Sequence, residues 1–153
     1  MKAGGANGDF KVRVSRKEVV AASPTQEQIL PLSNLDVLLP PVDVGVFFCY
    51  KSPTKFAAFS SMISTLKKSL AQTLASFYVF AGELSQNANG ELQLLCNNNG
   101  SGVDFIEASA DAELKDLNLY DPHQSVDGKL VPTRNQGVLA IQVALDLHTC
   151  NST

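Results

Sequence analysis

The chain has 153 residues, 44% of them hydrophobic and 18% charged, with a formal net charge of −3. These values fit one globular domain, or half of a two-domain protein, and exclude a disordered chain. Twelve Lys and Arg against fifteen Asp and Glu leave no basic footprint for nucleic acid. The adjacent pairs Arg16-Lys17 and Lys67-Lys68 read as solvated faces.

Residues 1–9 are polar and Gly-rich and read as a flexible tail, with 10–153 forming one domain. MKAGGANGDF holds no apolar h-region, and no apolar run approaches the ~20 residues of a spanning helix. A soluble, cytoplasmic protein with no membrane partner is expected. The three cysteines, Cys49, Cys96 and Cys150, agree, because an odd count at irregular spacing is no disulfide framework. Neither Cys96 nor Cys150 has metal-ligand spacing with His123 or His148, so no metal is expected.

Along the chain, Phe10, Val12 and Val14 alternate with charged residues, the period-2 signature of a half-buried strand that Ser23-Pro24 ends. Residues 30–43 carry three prolines and, among others, Leu30, Leu32, Leu35, Val37, Leu38 and Leu39, which predicts a loop packed across the body of the domain. VGVFFCY (44–50) is a near-continuous apolar run and predicts a strand buried on both faces. Ser52-Pro53 then supplies an N-cap and first-turn proline for a helix. Its stripe, Phe59, Ile63, Leu66, Leu70, Leu74 and Phe77, sets one apolar face for the core, with Lys67, Lys68 and Gln72 opposite. Gly82 is its expected left-handed stop.

Asn89-Gly90 predicts a hairpin turn between AGEL and ELQLLC. NNNGSG (97–102) reads as a polar loop rather than a phosphate cradle, since it lacks the required glycine spacing and a lysine before Ser or Thr. VDFIEA predicts a short strand, ADAELKDL (110–117) a short helix, 118–136 turns, and VLAIQVALDL (138–147) a long strand.

This order of segments resembles the N-terminal half of the BAHD acyl-CoA-dependent acyltransferases, over roughly residues 10–147. The likeness rests on PLSNLD at 31–36, the VGVFFCYK strand, LKKSLAQTLASFYVFAGEL at 66–84 against the family's SLxxxLxxYPxxAGRL, ELQLLCNNNGSGVDFIEA at 91–108 and GVLAIQV at 137–143. LPPVDVGVFFCYKSP and KLVP (129–132) resemble the coniferyl alcohol acyltransferase and hydroxycinnamoyl or feruloyl transferase branch. The resemblance implies an α/β fold: a chloramphenicol-acetyltransferase-like mixed sheet with flanking helices, here an incomplete N-terminal domain. It also implies acyl-CoA as co-substrate, no bound cofactor and a small-molecule acceptor, an alcohol of plant-type specialised metabolism. Ser33 and Asp36 fall on the early loop, where the resemblance implies a structural role or a place on the acceptor channel.

The family's general base is the histidine of an HxxxDG motif that follows the strand matching LAIQV, and a DFGWG motif lies further on. Imidazole suits the task because a base with pKa near 7 can take a proton and hand it on. This sequence reaches Thr153 without either motif in that context. It does contain a literal HxxxDG at 123–128, His123 to Gly128, but before LAIQV and after the turn NLYDP, so a surface loop is expected there. His148, with Ser152 four residues on, does not match. Three readings follow. The first is a truncated acyltransferase, inactive alone. The second is a non-catalytic protein that pairs with a full-length relative through an uncovered sheet edge. The third is a small enzyme using His123 and Asp127.

Overall fold

The alternation at the start of the chain becomes strand β1, Val12–Val20, which is antiparallel to β5, Val103–Ala110. The register slips between Val14 and Arg16. One extra residue in a strand exchanges its faces, so Val12 and Val20 point to opposite sides of the sheet. Ser15, inside the bulge, donates its hydroxyl to the Glu107 carbonyl at 3.0 Å. On the other side β5 pairs in parallel with β6, Ala140–Asp146, giving a mixed sheet of order β1-β5-β6. A computed structural model describes residues 10–24, 28–38, 40, 42–50, 56–96, 101–112, 117, 126–133 and 137–146.

A second, antiparallel sheet has the order β2-β4-β3, from Gln28–Pro31, Leu92–Cys96 and Glu83–Gln86. Its hairpin is the one that Asn89-Gly90 predicts. Gly90 takes φ +80°, where a side chain is strained, and the Asn87 Oδ1 accepts the amides of Asn89 and Glu91. The α/β class is therefore met by one mixed and one antiparallel sheet, a short helix α1 (Asn34–Leu38) and the long helix α2 (Phe56–Ser76).

The core has two compartments on opposite faces of the mixed sheet. On one, Phe59, Ile63 and Leu74 of α2 pack with Val20, Val103, Phe105 and Leu145. On the other, Phe10, Ala110 and Ala112 pack with Val126 and Leu130 of a turn (126–131), with Ala144, Val131 and Phe47 half-buried beside them. On this second face the register sets Ala108 opposite Ala144 and Val12 opposite Ala110, so it is paved with small side chains.

Five expectations need correction. The 44–50 run belongs to neither sheet among the described residues, and Val44, Val46, Phe48 and Tyr50 are exposed. A strand is buried only by neighbours, and no described strand lies alongside it. The early loop likewise does not pack inward: Leu35, Val37, Leu38 and Val42 face solvent, and part of it forms β2 and α1. Within α2, Leu66 and the following Phe77 are exposed, whereas Lys67 is on the buried side. Counting from Ile63, the inward row is 63, 67, 70, 74, which leaves Leu66 about 70° to one side of its centre. Gly82 is extended (φ −81°, ψ 168°) after a 3-10 turn, Tyr78–Ala81. Glycine is needed there because an added Cβ would lie 2.7 Å from Leu94 Cγ. Asp111, Ala112 and Leu117 are not helical, while 113–116 lie outside the described residues. So do the tail, Ser52-Pro53 and most of the 97–102 loop.

The two leucines test this register. Leu74→Ala should cost about 2–5 kcal/mol in urea unfolding and Leu66→Ala no more than about 0.5; equal costs would restore the stripe as first drawn.

Candidate functional site

Ser33 and Asp36 meet at the start of α1. The Ser33 amide donates to Asp36 Oδ2 at 2.8 Å, its hydroxyl donates to the same oxygen at 2.7 Å, and the Asp36 amide donates back to Ser33 Oγ at 3.3 Å. This is a reciprocal capping box, with aspartate in the place more often held by Glu. The Ser33 hydroxyl and then its amide hold the Asp36 carboxyl below the usual range. Both oxygens and amides are thus committed to closing one turn, which suits a structural part for the pair.

The HxxxDG-like segment divides. His123 lies outside the described residues, and Asp127 is exposed, on a turn against the alanine-lined face of the sheet. The Val126 carbonyl accepts amides from Lys129, Leu130 and Val131. Gly128 takes φ +72°, the left-handed geometry this turn requires. Gln142 of β6 straps the turn down by donating Nε2 to the Lys129 carbonyl at 2.7 Å. The 42–50 segment runs past the same turn, since a Cβ at Gly45 would lie 3.2 Å from Val131 Cγ1.

Lys67 lies at the edge of the core. Its ammonium reaches Glu18 Oε1 of β1 at 2.7 Å and Glu107 Oε1 of β5, and sits 5.2 Å from the centre of the Phe105 ring. Only 17% of its side chain is exposed. Burial alone would lower its pKa, but the hydrogen bonds to Glu107 and Glu18 outweigh that and raise it. In turn the hydrogen bond from Lys67 is the main reason that Glu18 is lowered. Among the described residues no group of three or more His, Cys, Asp or Glu could hold a metal, and burial pushes the Cys96 thiol up, away from the reactive thiolate.

The family model for the transferase family matches residues 10–145, nearly the whole described chain. The chain belongs to the BAHD acyltransferases. Among BAHD relatives, it is 32% identical over 130 residues to putrescine hydroxycinnamoyltransferase 1 of Oryza sativa subsp. japonica, covering 84% of this chain and 28% of that protein. To (Z)-3-hexen-1-ol acetyltransferase of Arabidopsis thaliana it is 35% identical over 114 residues, 73% of this chain and 24% of the relative. To omega-hydroxypalmitate O-feruloyl transferase of the same plant it is 30% identical over 127 residues, 80% and 27% respectively. The chain thus spans about a quarter of the length of the curated relatives it matches.

Within this BAHD segment, sequence reasoning singled out Ser33 and Asp36 without the hydrogen bonds between them, and set Lys67 on the outer face. The signal was available, because Lys67 stands four residues after Ile63 and three before Leu70, inside the buried row.

Lys67→Met tests the triad. Glu18 is lowered, so its contribution is complete above the ordinary carboxylate range and is lost as pH falls through its folded pKa. The wild type should therefore lose stability on acidification. Lys67→Met leaves two carboxylates facing each other, should cost about 1–3 kcal/mol at neutral pH, and should regain part of that as pH drops. Thermal melts from pH 7 down to about pH 2 read both slopes.

Proposed function

We propose that residues 10–146 are the N-terminal part of an enzyme that moves an acyl group from acyl-CoA to the oxygen of a small alcohol, in the hydroxycinnamoyl or feruloyl branch. The family match over residues 10–145 carries this reading. The named relatives act on a hydroxycinnamoyl group with putrescine, on hexenol with acetyl, and on omega-hydroxypalmitate with feruloyl. Both oxygen and nitrogen acceptors are thus within the family's range. In the step proposed, a histidine imidazole takes the acceptor's proton as its oxygen attacks the thioester carbonyl; the C–O bond forms, the C–S bond breaks, and the proton passes to the departing CoA thiolate.

We place the base for that step outside residues 10–146, a reading supported by relatives of which this chain covers about a quarter. What this segment supplies is scaffold: the sheet, the capped loop at Ser33–Asp36 lying towards the acceptor side, and the face that α2 covers. Among the described residues no helix is long and apolar enough to cross a membrane. A cytoplasmic setting, where acyl-CoA is at hand, is part of the proposal.

The test is direct. The purified chain incubated with feruloyl-CoA or acetyl-CoA and coniferyl alcohol should release no thiol above background, since loss of a general base alone forfeits ~10²–10⁴ in rate. A chimera carrying residues 10–145 in place of the matching quarter of the rice relative should transfer acyl groups. Turnover by the chain alone that His123→Ala abolishes would move the base to residue 123 and overturn the assignment.

A further inference from the structure

The turn of the β3–β4 hairpin holds two asparagines in unlike states. Asn87 is half-buried and engaged at both ends of its amide. Its Oδ1 accepts the backbone amides of Asn89 and Glu91 at 2.9 and 3.0 Å, and its Nδ2 donates to Glu91 Oε2 at 2.8 Å. Asn89 is exposed, and its side chain has no hydrogen-bond partner among the described residues. Gly90 follows, also exposed, with nothing within 4 Å of the place a Cβ would take. The peptide nitrogen of Gly90 is therefore unshielded against the carboxamide of the residue before it. One restraint remains: the Gly90 amide donates to the Asn87 carbonyl at 2.9 Å and closes the turn.

We infer that Asn89 is a site of spontaneous intramolecular deamidation, gated by the Asn87 side chain that holds the turn shut. When the turn opens, the Gly90 nitrogen gives up its proton and attacks Asn89 Cγ. A C–N bond closes a cyclic imide, the bond from Cγ to Nδ2 breaks, and Nδ2 leaves as ammonia with a proton from solvent. Water then opens the ring at either carbonyl to give aspartate or isoaspartate, and nothing is oxidised or reduced. Glycine makes the close approach possible, because a Cβ at position 90 would crowd the attack and would be strained at φ +80°. Ala88, Asn89 and Gly90 are all exposed, so opening uncovers no core and belongs to the low-energy local openings of a hairpin end. Asn87 is protected by the same geometry, since its carboxamide cannot reach the Ala88 nitrogen without abandoning its bonds to residues 89 and 91. Isoaspartate at 89 would route the main chain through one extra carbon and part the two amides that Asn87 Oδ1 now gathers. This inference does not rest on the acyl-transfer reading.

The purified full chain, kept folded in mildly alkaline buffer, is sampled over days by peptide mapping with fragmentation. Heavy-oxygen water marks hydrolysis, and an isoaspartyl methyltransferase marks isoaspartate. Asn89 should convert to a mixture of aspartate and isoaspartate, faster as pH rises because the attacking group is the deprotonated amide, while Asn87 stays intact. Asn87→Ala should speed conversion at 89 by ~5-fold or more, the effect of one turn hydrogen bond on the population of open turn. Glu91→Ala, which removes only the Nδ2 bond, is the milder variant and should act in the same direction. Asn7-Gly8 and Asn99-Gly100 lie outside the described residues and are mapped as separate peptides. An Asn89 that stays intact in the folded chain would overturn the inference, as would equal conversion at 87 and 89. Conversion at 89 that both variants leave unchanged would overturn the gate.

Discussion

One seam sets how α2 lies on the β1-β5-β6 sheet. Phe59, Ile63 and Leu74 seal it with Val20, Val103, Phe105 and Leu145, and Lys67 closes its edge by reaching one carboxylate on each of two neighbouring strands. The apolar part is non-directional and would tolerate the helix sliding or turning. The ion pairs are not: a single ammonium that must meet Glu18 and Glu107 at once fixes the helix along the strands and about its own axis. The bulge at Ser15 belongs to the same device, because without it Val20 and Glu18 would point to the opposite face from the helix.

The strands were legible because their periods are local. Alternation at 12–20, the Asn-Gly turn and the apolar run at 138–147 each depend on a few neighbouring residues, and all three reappear in the structure. The helix was legible as an element but not in its rotation, since counting only apolar residues admits Leu66 and rejects Lys67. A lysine inside a buried row is visible only if charge is allowed inward, and its partners on β1 and β5 are forty and more residues away in sequence. Burial of 44–50 was not legible at all. An apolar extended segment carries no mark of whether a neighbour covers it, because burial belongs to the pair and not to the segment.

The site readings divide along the same line. Ser33 and Asp36 stand three apart, a spacing whose hydrogen bonds close within one turn, so the sequence alone carries the geometry. A catalytic histidine has no such local signature. It needs a strand to present it and a channel to face, and a six-residue string such as 123–128 specifies neither. The family relation, by contrast, rests on five segments in order across most of the chain, and the match over residues 10–145 follows that same span.

The mixed sheet is unlike on its two sides, and this bears on how the sequence can drift. Beneath α2 lie large, deformable side chains that can trade volume with one another. On the reverse, Ala110 and Ala144 pack with Phe10 and with Val126, Leu130 and Val131 of the 126–131 turn, which Gln142 ties down. An added methyl group there would press on the side chains of that turn. A bulky replacement on the alanine side would therefore push on the turn and, through Val131, on the 42–50 segment beside it.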